Sequence, residues 1–279
     1  MTRTLPDFES PPLTEVALSV QFEPLEKLRT AQVGALWTVF RAQFPRTEDH
    51  NPLAPVFERF GMPTTSAAEV RLEMLETPPL PRVWFLNPEG TELIQVQQDR
   101  FIHNWRKVGQ GDTYPRYEHV RDKFESEMTT FQDVLAREQI GRVVANQCEV
   151  TYVNHIVAGD GWQTHSQLAN VVTVFRTAYI DDKLQEPEDA GLSVRYVLKD
   201  VKGASLGRLH ISAQPAFRRP DSRPMLVLTL VARLRPPGDE LEHVIRALDL
   251  GRDAIVRAFA SVTTPEMHKL WRRKDVERS

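Results

Sequence analysis

Glu15-Val16-Ala17-Leu18-Ser19-Val20-Gln21-Phe22 and Glu149-Val150-Thr151-Tyr152-Val153-Asn154-His155-Ile156 both alternate apolar with small or polar residues, the period of a strand with one buried face. The same order of signals follows each of them. Behind the first, Leu28, Val33, Leu36, Trp37, Phe40 and Phe44 recur at helical spacing until Pro45 stops them. Residues 46–65, with Pro52, Pro55 and Pro63, read as irregular apart from a short strand at 56–60. Residues 70–75, 82–86 and 93–97 read as strands, with Asn87-Pro88-Glu89-Gly90 supplying a hairpin turn. Tyr117, Val120, Phe124, Met128, Phe131 and Leu135 then step by three or four along a long helix.

Behind the second strand, Trp162, Leu168, Val171, Val172 and Phe175 mark a helix, and residues 194–201, 206–214 and 225–234 a meander. The run from Leu226 to Val231 is apolar on both faces and reads as a covered central strand. Leu241, Val244, Ile245, Leu248, Ile255, Val256 and Phe259 give a second long helix. The expected fold is therefore α+β: two similar β-α-β-meander-α halves, an internal duplication, forming antiparallel sheet with helices packed on one face. If the halves join edge to edge, one long sheet results, in outline like the duplicated fold of TATA-binding proteins; that analogy concerns architecture and implies no DNA binding. The boundaries are an extended lead-in over 1–13, a first half over 14–138, a connector over 139–146, a second half over 147–261, and a C-terminal helix and tail over 262–279. In that last segment Thr263-Thr264-Pro265-Glu266 combines capping hydroxyls with a first-turn proline, and Met267, Leu270 and Trp271 share the face expected to dock, with Trp271 over the seam between the halves or the base of the first-half helices.

The 279 residues carry 41% hydrophobic and 26% charged side chains, enough for a substantial core without staples. Formal net charge is −3, which gives no global attraction to nucleic acid or anionic lipid. Cys148 is the single cysteine, so no internal disulfide forms, and its apolar neighbours predict a buried, inert thiol. The N-terminal residues lack the apolar core of a signal peptide, and no run approaches the roughly eighteen apolar residues of a membrane span. A cytoplasmic protein is expected. The histidines show no metal-ligand spacing and Gly109-Gln110-Gly111-Asp112 lacks the context of a phosphate loop, so no metal and no cofactor is implied.

The segment Ile94-Gln95-Val96-Gln97-Gln98-Asp99-Arg100-Phe101-Ile102-His103-Asn104-Trp105-Arg106-Lys107 stands apart, because both its faces are partly polar. Run as one strand, it places Gln97, Asp99, His103 and Trp105 on one side and Gln98, Arg100, Asn104 and Arg106 on the other. Such groups must be hydrogen-bonded or solvated, since each buried unsatisfied one costs about 1–3 kcal/mol. Three arrangements satisfy them: an exposed strand, a polar network bracing the halves, or a site for a polar ligand.

Pro11-Pro12-Leu13-Thr14-Glu15-Val16, the strand ending Gln21-Phe22, Leu93 to Gln97 running into Asn104-Trp105-Arg106-Lys107, Tyr114-Pro115-Arg116-Tyr117, Val150-Thr151-Tyr152-Val153-Asn154 and the close from Thr263-Thr264 through His268 to Trp271 together resemble a sporadically distributed family of bacterial conserved hypothetical proteins of about this length. The resemblance implies a bacterial cytosolic protein and transfers no catalytic residue.

The leading expectation is a non-enzymatic binding or interaction protein that holds a protein partner or a small polar ligand on its open sheet face or between its halves. The ligand-binding candidates are Gln97, Asp99, Arg100, His103, Asn104 and Arg106. A homodimer is compatible with this reading; a membrane partner is not, and the net acidity argues against nucleic acid. The first alternative is an enzyme using His103 and Asp99 as an acid–base pair with Arg100 or Arg106 at an anion site. The second is nucleic-acid binding on the sheet, which needs basic residues and exposed aromatics on one face.

Overall fold

The computed structural model describes residues 5–61, 80–175, 183, 187–219 and 221–274. The strand expected at 70–75 lies outside them. In chain order the elements are β1 (Asp7–Phe8), β2 (Leu13–Phe22), α1 (Thr30–Phe40), β3 (Arg46–His50), β4 (Arg82–Leu86), β5 (Glu92–Gln97), β6 (Arg100–Arg106), α2 (Tyr117–Arg137), β7 (Ala145–Val157), α3 (Leu168–Val171) behind a short 3-10 turn, β8 (Leu192–Lys199), β9 (Ser205–Phe217), β10 (Pro224–Leu234), α4 (Leu241–Val262), α5 (Pro265–Leu270) and β11 (Arg273–Lys274).

Nine of the strands form one antiparallel sheet in the order β3-β4-β5-β6-β2-β7-β10-β9-β8. The two strands with which the sequence reading begins lie side by side at its centre, with Val16 opposite Tyr152, Leu18 opposite Val150 and Val20 opposite Cys148. From that pair each meander runs outward, last strand first: β6, β5, β4 on one side and β10, β9, β8 on the other. Strand order is thus alike in the two halves. The helices after the opening strands differ, α1 having 11 residues and α3 only 4, and among the described residues β3 has no counterpart, so the duplication stays an expectation.

The helices cover one face. Val16, Leu18, Val20 and Phe22 of β2 are sealed from solvent on the face that α2 covers, α4 lying over β7 and β10, and Phe101 of β6 packs its ring 6.0 Å from Phe124 and 5.0 Å from Phe131. Each such side chain contributes about 1.5–3 kcal/mol by leaving water. The stripe expected on α2 is buried, with Glu127 as a polar member, and so is that on α4 except for Leu241 and Val256, which are half-buried. Gly251 lets α4 come close to the sheet, since a Cβ there would meet side-chain atoms of Leu234, Val150 and Ala232 at 3.1–3.4 Å. Cys148 is buried as expected.

Some expectations need correction. The irregular stretch after Pro45 begins with edge strand β3, whose residues Arg46, Glu48 and Asp49 are exposed; charges on an edge discourage pairing with other chains. Residues 56–60 form no strand. β10 is not covered on both sides, because Val227, Thr229 and Val231 stay partly exposed between buried neighbours. The lead-in does more than extend, since β1 pairs with β11 at the other end of the chain.

α5 starts as its sequence predicts, with Thr264 Oγ1 accepting the Met267 N–H behind Pro265. Met267 and Trp271 are buried, whereas Leu270 is 42% exposed, its side chain approaching Gly161 beside that of Met267. Trp271 also docks elsewhere than expected: its ring lies 5.2 Å from Phe259 at the end of α4 and 6.3 Å from Phe8 of the lead-in. Trp271→Ala should therefore lower unfolding free energy by about 3 kcal/mol, the lower end of the range for core aromatics, and should also free β1; chemical denaturation checks the first and hydrogen exchange at Phe8 the second.

Candidate functional site

The polar segment is a hairpin, and its turn changes which residues share a face. Gln98 and Asp99 reverse the chain between β5 and β6, making Gln97 and Arg100 cross-strand partners. Gln97, Arg100, Asn104 and Arg106 consequently face away from the helices, while Phe101, His103 and Trp105 face towards them. The one-strand alternation expected from sequence, which grouped Gln97 with Asp99 and His103, is overturned. His103 is fully buried and its Nδ1 lies 2.7 Å from Glu127 Oε2 on α2, a brace between sheet and helix. Asp99 sits in the turn and accepts a hydrogen bond from Gln97 Nε2. These two residues have different partners and form no acid–base pair.

On the open face the side chains form relays across the strands. Arg82 Nη1 donates to Gln95 Oε1 (2.8 Å), Gln95 Nε2 to Asn104 Oδ1 (2.6 Å) and Asn104 Nδ2 to Glu15 Oε1 (2.6 Å), linking β4, β5, β6 and β2. Burial pushes the Glu15 carboxyl above its ordinary range, opposed by the Asn104 amide and the Arg106 charge. Arg106 itself donates to the Gly90 carbonyl and lies over the Trp84 ring. Nearer the centre, Arg100 Nη2 donates to Gln21 Oε1 (2.6 Å) and Gln21 Nε2 to Asn146 Oδ1 (3.0 Å), crossing from one half to the other. Gln95, Gln97, Arg100 and Asn104 are all buried, so the segment is not an exposed strand.

Over Gln97 and Arg100 lie residues 51–60, a strap laid across the strands. Gln97 holds Leu53 twice, accepting its N–H (3.0 Å) and donating to its carbonyl (2.9 Å). Arg100 donates to the Ala54 carbonyl (3.2 Å), and Gln21 Oε1 accepts the Val56 N–H (2.9 Å). Glu58 then reaches the second half. Its carboxylate receives Arg208 on Oε2, and His210 Nε2 (2.6 Å) and Arg233 Nη1 (3.5 Å) on Oε1. From β5 to β10 there are four strand spacings, about 19 Å, which Leu53 to Glu58 spans only when nearly straight with long side chains meeting it. None of residues 51–61 is buried, although the side chains beneath them are.

Charge explains the far anchor. Arg208 and Arg233 are directly opposite in the β9–β10 register, an unfavourable pairing unless an anion lies between them. Glu149 answers Arg233 at 2.6 Å, and Glu58 answers both. Burial pushes the Glu58 carboxyl up, but His210, Arg208 and Arg233 outweigh it and hold it below the usual carboxylate range. Burial holds His210 below the ordinary imidazole range, with Arg233 and Arg195 acting the same way and Glu58 opposing.

The structure thus brings Gln97, Arg100 and Asn104 into one polar surface, leaves Arg106 at its rim and Asp99 in the turn, and places His103 behind the sheet. Sequence reasoning missed Gln21, Glu58, Arg208, His210 and Arg233. Polar residues at every second position of β2 and β9 signal a polar face, but Glu58 meets its cage across 150 or more residues, which no local pattern encodes. A separate cavity of about 380 Å³ lies on the helix face, lined by Phe8, Tyr114, Tyr117, Tyr152, Arg252 and Phe259 among others. Its tyrosines are engaged, Tyr114 with Tyr152 at 3.1 Å and Tyr117 with Asp249 at 2.8 Å. Among the described residues no three His, Cys, Asp or Glu side chains converge as a metal-ligand set.

Asn104→Ala strands the Gln95 amide and the Glu15 carboxyl at once, so it should lower stability by about 1–3 kcal/mol in denaturant titrations. A group whose folded pKa is depressed stabilises the fold above its unfolded pKa, and that contribution is lost as pH falls through the folded value. His210, with its ordinary value at 6.5, and Glu58, at 4.5, both have this sign. Stability should therefore fall on acidification below about pH 6.5, His155 adding to the same slope. In His210→Gln the decline between pH 6.5 and 4.5 should be shallower, as measured by urea midpoints across that range. No protein-family model and no curated protein matches this chain, and the functional reading rests on this geometry.

Proposed function

We propose that this chain is a non-enzymatic binding protein whose open sheet face holds an extended segment of a protein partner, with strap residues 51–60 as the resident occupant. The observation that carries the reading is how the strap is held: Gln97, Gln21, Arg100 and Arg208 all grip its backbone, the last through the Arg59 carbonyl at 2.9 Å. Backbone recognition is tolerant of sequence, so the same donors and acceptors serve another extended chain. Glu58 tucks its side chain into the cage with 9% exposed, while Phe57 and Phe60 stay exposed, so opening the strap gives up polar contacts rather than apolar core. The enzyme reading draws less support, because His103 is sealed among the core residues facing the helices and paired with Glu127. No helix among the described residues is long and apolar enough to cross a membrane.

Replacing residues 53–60 in the full chain by a glycine–serine segment of equal length vacates the face. A synthetic peptide Asn51-Pro52-Leu53-Ala54-Pro55-Val56-Phe57-Glu58-Arg59-Phe60 should then bind saturably and raise the melting temperature with its concentration. A folded variant that shows neither response would sink the reading.

A further inference from the structure

Building on that reading, we propose that Arg208, His210 and Arg233 are an anchor site for an acidic residue of the partner's extended segment, and that Glu58 is a built-in competitor the partner displaces. Three observations point the same way.

First, the cage suits a carboxylate in an extended peptide. Three cationic or hydrogen-donating groups on two adjacent strands converge on both oxygens of one carboxylate; Glu149 answers Arg233 alone, so the carboxylate at this position is the one that meets both Arg208 and Arg233. Second, the anchor reads more than charge. Arg208 bonds the Glu58 carboxylate, donates to the Arg59 carbonyl and lies with its guanidinium carbon 5.1 Å from the Phe60 ring centroid. One side chain thereby inspects three consecutive positions, which defines the preferred ligand as an acidic residue followed, two places on, by an aromatic one. Five residues before the acid, Gln97 fixes the backbone register by holding Leu53 from both sides.

Third, the occupant is displaceable. Arg208 and Gln97 are at least nine-tenths buried, yet Phe57 and Phe60 of the strap are 58% and 38% exposed. Lifting the strap uncovers a built polar surface without opening the core. The tethered strap holds the advantage of effective concentration, so a partner that carries the same acid and aromatic displaces it by adding contacts of its own. The cage then sets specificity and the backbone grips supply register.

The test uses the full chain with residues 53–60 replaced by glycine–serine, titrated with the ten-residue strap peptide and with the same peptide carrying Gln in place of Glu58. Binding of the first that is at least about tenfold tighter, with the difference shrinking at high salt, is the expected result. Equal binding of both peptides would overturn the anchor while leaving backbone recognition standing. Binding of neither by a folded variant would remove the face as a peptide site altogether. Displacement of the acidic peptide by a single-stranded oligonucleotide as effectively as by unlabelled peptide would overturn the acidic segment as the ligand in favour of nucleic acid. Should the replaced chain fail to fold, Glu58→Gln in the intact chain decides: amide exchange at Leu53 and Val56 should quicken about tenfold, and unaltered exchange would overturn the role of Glu58.

Discussion

Pairing β2 against β7 sets Val16, Leu18 and Val20 beside Tyr152, Val150 and Cys148, and this antiparallel join makes one sheet of two meanders. Period-two geometry does the rest. Once these residues are committed to the face beneath α2 and α4, their neighbours Ala17, Ser19, Gln21, Gln147, Glu149 and Thr151 must point the other way. Among the described residues no helix covers that second face, and a nine-stranded sheet is too broad for every polar group near its middle to be satisfied by its own strand.

The chain meets this constraint in two steps. Side chains first bond along the sheet, as in the relay from Arg82 through Gln95 and Asn104 to Glu15. The strap then supplies backbone donors and acceptors to Gln97, Gln21 and Arg100, and a carboxylate to the cations of β9 and β10. A buried polar face costs several kcal/mol if left half-paired, so an apolar surface would have been the simpler solution for stability alone. Retaining arginines, glutamines and a histidine there fits a surface that is covered and uncovered in use. The helix face shows the opposite economy, since its polar pair, His103 with Glu127, is sealed and has no route to a ligand.

Much of this was legible residue by residue. Alternation over residues 15–22 and 149–156, the stripe from Tyr117 to Leu135 and the close Thr264-Pro265 each report their own backbone geometry, because side chains two or four apart on one element share a face whatever the rest of the chain does. The density of amides and charges between Gln95 and Arg106 marked the polar surface. What misled was a single turn: Gln98-Asp99 inserts two residues outside the strand ladder, shifting the parity of everything after it and sending His103 to the core. Leu270, the last residue of the six-residue α5, stays 42% exposed where its neighbours Met267 and Trp271 are buried.

The sequence by itself determined the two central strands, the meanders that follow them, the two long helices with their apolar faces, and that a polar surface had to be satisfied somewhere, because these follow from local periodicity and from the cost of an unpaired buried group. Only the tertiary structure decided what satisfies it. Residues 51–60 have no periodicity of their own, and their place over the sheet comes from Gln97, Gln21, Arg100 and Arg208 holding backbone atoms that every residue type carries. Contacts to the backbone leave no mark on composition or spacing, and the partners of Glu58 lie 150 to 175 residues further along the chain.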